Sequence, residues 1–268
     1  MLKLMFSRNW WWSTLLVLAG VALTIRLGVW QLDRHAQRQE FNAQVAAIQA
    51  ASPISLDGDE DAGDLAEMEY RPANAEGVYD FEHQVAIRNQ VWTQSWGDEN
   101  GYALLTPLVL PNGTAVLVQR GWIPAENNTP ESWRQFDEPV AAAVEGIIRQ
   151  PRTKGEMGGG IPDPTLAPGE AGLDFWNFVN IDRIQQQMPY PLLNVYLQQA
   201  PRASQTSLPY RSLPEIDLSS GAHIGYALQW FFYAGLLLFG YPVYLKKHKE
   251  GDALHRKKSK LTDFQAGS

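Results

Sequence analysis

The sequence contains no cysteine among its 268 residues. Without thiols there is no disulfide framework, iron–sulfur cluster, thiolate copper site or cysteine nucleophile. Redox and copper-carrier functions built on cysteine pairs are excluded with them. Charge is sparse too, at 19% of residues against 45% apolar, so the chain is not a disordered polar tract. Serine-hydrolase G-x-S-x-G, zinc H-E-x-x-H and phosphate-cradling G-x-x-x-x-G-K-[ST] motifs are all missing. Gly158-Gly159-Gly160 follows no obvious strand and lacks a phosphate-loop lysine, so it reads as a flexible loop. Carboxylate pairs are plentiful, but in so acidic a stretch they discriminate nothing. A membrane-tethered hydrolase therefore has no motif behind it, and a non-enzyme is expected.

The net charge of −7 hides a partition. Residues 1–38 carry five basic residues against Asp33, a net of +4. Residues 246–268 carry seven against three acids, again +4. The stretch between holds ten basic and twenty-five acidic residues, a net of −15. Basic ends around an acidic middle imply different surroundings for the pieces. Nothing in that middle favours nucleic acid.

The longest stretch without charge explains the partition. Residues 224–245 are 22 in number and uncharged, about 33 Å of helix against a hydrocarbon core of about 30 Å. No polar stripe interrupts it, as a soluble helix would show. A first apolar run, residues 10–32, has Trp10-Trp11-Trp12 at one end and Trp30 at the other, suited to two bilayer interfaces. It lacks a clear A-x-A site, which favours a retained anchor over a signal peptide. Seven basic residues follow the second run, whereas only Arg202 and Arg211 lie shortly before it. The tail 246–268 and the N-terminus are thus expected in the cytoplasm (or a mitochondrial matrix), with residues 39–222 outside. Nine residues before Trp10 are too few for an Arg-rich transit peptide, so a bacterial plasma membrane is expected.

Residues 35–50 read as a helix continuing from the first span, ended by Ser52-Pro53. The acidic loop from Asp57 to Asp64 mimics a calcium loop, but Ala62 and Met68 stand where its glycine and bidentate glutamate belong, so it reads as solvated surface. Strands are predicted from Tyr70 onward, around 85–87, and at 102–110, 115–123, 140–149, 175–181 and 192–197. Asn112-Gly113 suits a tight hairpin, residues 182–188 a short helix, and 151–172 an irregular excursion. The expected fold class is membrane-anchored α+β: two transmembrane helices flanking one antiparallel β-rich domain, barrel-like or sandwich-like.

Of five histidines, His248 and His255 sit in the basic tail, and His35 and His83 have no partner at metal-ligand spacing. His223 stands one residue before the uncharged run, with Tyr226, Ala227, Trp230 and Ala234 on its helical face. One reading is a lipophilic metal macrocycle such as haem, with the imidazole of His223 on the metal and the aromatics alongside. The other is a polar helix-entry residue beside interfacial aromatics. Arg26, Trp30 and Arg34 form a similar set near the end of the first run. Snorkelling to lipid phosphates and contact with an anionic partner, such as haem propionates, both fit it.

The run Leu27-Gly28-Val29-Trp30-Gln31-Leu32-Asp33-Arg34 resembles the LGxWQxxR signature of the surfeit locus protein 1 family of cytochrome oxidase assembly factors. Tyr70-Arg71-Pro72, Gly77-Val78-Tyr79, Gly101-Tyr102, Leu105-Thr106-Pro107-Leu108, the Gln119-Arg120-Gly121-Trp122 hairpin, and Glu145-Gly146 with Arg149 follow in the family's order. His223-Ile224-Gly225-Tyr226-Ala227-Leu228-Gln229-Trp230-Phe231 is similar to its HxxYAxxWF helix entry. Ala222 and Gln119 stand where the family usually has Asn. The resemblance implies an assembly factor for a haem–copper terminal oxidase that binds haem a, with His223 as axial ligand. It implies the oxidase's large catalytic subunit and haem a synthase as partners. Arg120-Gly121-Trp122 is expected to set hairpin structure. The alternative is a membrane-tethered scaffold that holds oxidase subunits without binding haem.

Overall fold

The computed structural model describes the chain except residues 1–4, 61, 95–96, 155–160, 167–171, 203–206, 215 and 267–268, and gives the backbone alone for 62–63, 94 and 252–266. The Gly158–Gly160 run and Asp61 lie outside the described residues. Two compact units are present, one of Met1–Gln44 with Asp217–Ser268, the other Val45–Ile216.

The first unit is built on two long helices, α1 (Trp11–Ala50) and the last element, α5 (His223–Ala266). Each contains a stretch long and apolar enough to cross a membrane. The run 10–32 and the helix expected at 35–50 are one continuous helix, because no proline or glycine pair interrupts the chain before Pro53. Helix α5 likewise runs on past residue 245 through the basic segment.

The second unit contains β1 (Ile54–Leu56), α2 (Ala62–Ala66), β2 (Pro72–Tyr79), β3 (Val85–Gln94), β4 (Gly97–Val109) and β5 (Ala115–Pro124). Then come α3 (Pro130–Trp133), β6 (Ala141–Arg149), β7 (Phe175–Trp176), α4 (Ile181–Ile184) and β8 (Leu192–Gln199). All eight strands join one sheet, in the order β1-β2-β6-β8-β5-β4-β3-β7.

Two features correct the expected class. The sheet is mixed, since β1–β2, β3–β7 and β5–β8 are parallel. Parallel neighbours need a crossover connection; for β5–β8 the chain returns through β6 and the long segment after it, whose described residues hold only the short α4, near the 182–188 expected, and the 3-10 turn Gln185–Gln187 as helix. The sheet is also neither a two-layer sandwich nor a closed barrel. The end of β2 does reach β4, at Val78–Val109 and Tyr79–Leu108, but only over those two pairs, and β1, β3 and β7 lie outside that join.

Strand β5 is buried almost throughout, and β4 from Gly101 onward, because both faces of the sheet's centre are covered. Val116 and Val118 join Leu108, Val144 and Leu197 on one face, whereas Leu117 joins Ile87, Leu105 and Trp176 on the other. The β4–β5 turn closes as expected, with Gly113 at φ 88° and the Asn112 side chain accepting from Thr114 N at 2.9 Å. The strand expected at 175–181 stops after two residues. The Asp163 carboxylate accepts from the backbone N–H groups of Asn177 and Phe178, at 2.9 and 3.0 Å, so they cannot extend a ladder.

Arg120 occupies the core, with 0% exposure. It donates to Gln84 Oε1 at 2.7 Å and to Phe136 O, pairs with Glu138 at 3.4 Å, and lies over the rings of Phe81 and Tyr79. Burial disfavours its charge and Glu138 restores part of it. Next to it, Gly121 has φ 140°, and a Cβ there would fall 2.7 Å from Tyr210 O. Only glycine fits where Trp122 and Tyr210 bridge through their backbones.

Candidate functional site at the helix seam

Within the first unit, α1 and α5 meet along a seam that the sequence writes in seven-residue spacing. On α1 one line of less exposed positions runs Thr14, Val17, Val21, Thr24, Gly28, Gln31, His35 and Arg38, at alternating steps of three and four, with Ser13, Gly20 and Leu27 partly covered beside it. On α5 the line runs His223, Ala227, Trp230, Ala234, Leu237, Tyr241 and Leu245, with Phe231, Gly235 and Pro242 partly covered beside it. Alternating steps keep one stripe facing a partner helix.

The contacts fix the register. Ser13 and Thr14 hydroxyls reach Tyr241 Oη at 2.9 and 2.8 Å. A Cβ on Gly20 would lie 3.3 Å from Leu237, and one on Gly28 only 2.6 Å from the Phe231 ring. Arg38 donates to Ser219 O at 3.2 Å and pairs with Asp217 at 3.3 Å, and Asn42 donates to Leu218 O. Positions rise on one helix as they fall on the other, so the helices are antiparallel. Gly28 belongs to the LGxWQxxR run and Phe231 to the HxxYAxxWF run: each motif is shaped to receive the other.

His223 opens α5 at one end of this seam. Its Nδ1 lies 2.9 Å from Gln31 Oε1, which has no proton to give, so Nδ1–H donates. In the neutral ring the lone pair is then on Nε2. Among the described residues Nε2 has no hydrogen-bond partner. Gly221 lies beside it, and a Cβ there would fall 3.3 Å from Nε2. An imidazole with one nitrogen tied to an acceptor and the other open beside a glycine is the arrangement a metal-ligating histidine needs. The residues therefore fit an iron of the haem type at Nε2. Among the described residues no group of three or more His, Asp or Glu could hold a metal ion.

The other expected site residues fall in different places. Ala227 is 1% exposed and Ala234 is buried, both in the seam. Trp230 is half-buried at its edge, 6.0 Å from Tyr233 in edge-to-face contact. Tyr226 is 52% exposed, on the flank. Arg34 is exposed, with its guanidinium 5.7 Å from the Trp30 ring centroid and a hydrogen bond to Gln37. Arg26 is exposed on the α1 face turned away from the seam, so the fold does not bring it to His223. His83 Nδ1–H donates to the Asp80 carboxylate at 2.7 Å in the other unit, and His248 packs against Trp10 at 5.2 Å. Gln31 is the residue that spacing alone missed. The signal lay in its motif, but its role needs the register between helices nearly 200 residues apart.

The family described as the SURF1 family matches residues 18–235, a span that runs from one seam helix to the other. The chain belongs to the SURF1 family. It is similar to Surfeit locus protein 1 of Arabidopsis thaliana, 22% identical over 284 aligned residues that cover 85% of this chain and 76% of the plant protein. It is also similar to the Takifugu rubripes protein of that name, at 27% identity over 65% of this chain and 72% of the fish protein. With the Gallus gallus protein it shares 29% identity over 46% of this chain and 43% of the other.

Proposed function

We propose that this protein is a non-enzymatic assembly factor for a haem–copper cytochrome oxidase, which binds haem a through His223 and assists its insertion into the large catalytic subunit. Members of the SURF1 family are cytochrome oxidase assembly factors, and that membership supports the oxidase. The observation that carries the haem assignment is the His223–Gln31 hydrogen bond, which leaves Nε2 open for an iron. When bound, haem would supply an iron that an imidazole nitrogen can ligate, and His223 is the residue that would hold it. Gln31 holds the ring and its tautomer, Trp230 and Tyr226 offer flat apolar surface alongside, and Arg34 offers a cation for a propionate.

In this reading α1 and α5 span a bioenergetic membrane, with both chain ends on the cytoplasmic or matrix side and Val45–Ile216 on the other. The lysine-rich segment after α5's apolar run supports that orientation. Haem a synthase, as supplier, and the oxidase large subunit, as recipient, are the partners. The scaffold reading draws on the tight seam: Ala227 and Ala234 are packed in it, so much of His223's helical face is already occupied.

The two readings separate in cells lacking the endogenous protein. Complementation with the wild type should restore the haem a absorption band of the oxidase, and His223→Ala should not, while oxidase subunit levels stay comparable. Full restoration by His223→Ala would remove the haem role and leave the scaffold.

A further inference from the structure

The Val45–Ile216 unit contains a cavity of about 480 Å³ on the sheet face that carries Ile87, Leu105 and Leu117. Small-molecule sites fall at about 300–1,000 Å³. No residue of this cavity belongs to the helix seam. Cross-strand partners share a face, so the register decides which side chains reach it. Gln119 pairs with Leu105 and Gln198, Tyr196 with Leu117, and Ala103 with Ile87. Tyr196, Gln198, Gln119, Ala103 and Ile87 therefore make one floor across the adjacent strands β8, β5, β4 and β3.

Two bulges complete that floor. Plain alternation would send Gln90, three positions after Ile87, to the opposite face. Instead the β3–β4 register shifts between them, Asn89 takes φ 59°, and Gln90 pairs with Gly101 on the face of Ala103. On β5 the register shifts at Arg120, so Trp122 pairs with Ala103 and shares the face of Gln119. A smaller recess walled by Trp122 and Trp92 continues the cavity over Gln90, Gln119 and Gln198. Bulges that re-aim side chains cluster beside functional sites, and a non-glycine residue with positive φ costs free energy that the fold must offset.

Charge does not select the ligand. No carboxylate lines the cavity. Arg149 is paired with Glu69 at 3.0 Å and donates to Gln198 at 2.6 Å. The Arg88 guanidinium lies over Phe175 at 4.9 Å, on the opposite face, and Arg152 has an interaction of its own. Neutral polar groups remain. Tyr196 is 6% exposed, yet among the described residues its hydroxyl has no hydrogen-bond partner, nor does either end of the Gln119 amide. Gln198 donates to Ser212 O at 2.7 Å and accepts from Arg149, which leaves it one N–H and one lone pair. Buried polar groups are normally paired, so an unpartnered hydroxyl on a buried phenol points to a ligand. Phenol and amides each offer both a donor and an acceptor, and ligand hydroxyls, which also give and take, match them.

We propose that this cavity binds a neutral polyhydroxylated molecule, a mono- or disaccharide. The Tyr196 hydroxyl and the Gln119 and Gln198 amides meet its hydroxyls, and buried Ile87, Ala103 and Val179 lie against its C–H surface. The site is independent of the His223 reading, and either stands if the other fails. The test uses the full chain in nanodiscs of zwitterionic lipid, because detergents with sugar headgroups would compete. Saturation-transfer NMR titrations would use glucose, N-acetylglucosamine, maltose and sorbitol, with gluconate as the charged and cyclohexanol as the apolar comparison, and empty nanodiscs as the blank. At least one neutral polyol should bind with Kd below about 10 mM, and gluconate and cyclohexanol about tenfold more weakly. Tyr196→Phe keeps the ring and removes a hydroxyl without a protein partner, so the unfolding temperature should not fall. That variant and Gln119→Leu should each weaken the polyol by about 3–10-fold, and the two together by more than either. Polyol binding that is absent, matched by gluconate or cyclohexanol, or indifferent to Tyr196→Phe would overturn the proposal.

Discussion

Glu138 is the carboxylate on which two buried guanidinium groups depend, and removing its charge should cost more than removing either arginine. Arg120 and Arg211 both reach Glu138 Oε1, with side chains 0% and 3% exposed. In Glu138→Gln, two cations remain buried close together without that counter-charge. Breaking a buried pair from one side costs about 3–5 kcal/mol. The low end applies, because Glu138 is partly exposed and Asp137 remains as a weaker counter-charge to Arg120. Arg120→Met is milder. Glu138 keeps Arg211, Gln84 Oε1 keeps the Thr106 hydroxyl, and of the acceptors considered only Phe136 O is orphaned. One orphaned carbonyl costs about 1–3 kcal/mol, and relief from burying a guanidinium offsets part of it. A loss of about 3 kcal/mol in a unit of this size lowers the unfolding temperature by about 6–12 °C. Thermal unfolding of the full chain, followed by the emission of buried Trp133 and Trp176, reads it. The double variant should be more stable than Glu138→Gln alone, since the partners are coupled. If Glu138→Gln proves milder than Arg120→Met, the shared-carboxylate reasoning is wrong.

Three further outcomes follow from the same geometry. Gly28→Val should loosen the seam by about 1–3 kcal/mol, because its Cβ meets the Phe231 ring, and Phe231→Ala in the same chain should recover part of the loss in thermal unfolding. Gly121→Ala should cost about 2 kcal/mol and weaken the near-ultraviolet dichroism of the stacked Trp92, Trp122 and Tyr210 rings. Burial pushes the Asp80 carboxyl up, but hydrogen bonds from Tyr190 and His83 outweigh it and hold it below the ordinary carboxylate range. A depressed folded-state value stabilises above the ordinary value of about 3.9 and loses that stability as pH falls through the lower one. Asp80→Asn should therefore be less stable than wild type at pH 7, by about 1 kcal/mol, and the gap should close in acid-unfolding curves as pH falls below the ordinary carboxylate range.

Local signals were readable in the sequence. Asn112-Gly113 made its turn, the uncharged run made a helix, and the motif order identified the family before any coordinate was needed. Pairings between distant segments were not readable. The β5–β8 parallel pair depends on a crossover of prolines and glycines, where an amphipathic helix would have announced one. The 175–181 strand was lost to one carboxylate, Asp163, reaching back from an irregular stretch. The seam was hidden because the membrane-length stretches of α1 and α5 are apolar nearly all round, so small residues at Gly28, Ala227 and Ala234 gave no contrast. Gln31 had a place in a motif but no assigned role, since its partner lies on the other helix.

The central claim, that His223 ligates haem with Gln31 as its orienting partner, is tested most directly by haem content. The full chain and its variants would be purified in detergent from cells making haem a, and bound haem measured as the pyridine haemochrome per polypeptide. The account predicts haem on the wild type, its loss in His223→Ala, and affinity weakened by about 10–100-fold in Gln31→Leu. Undiminished haem in a folded His223→Ala protein would contradict it.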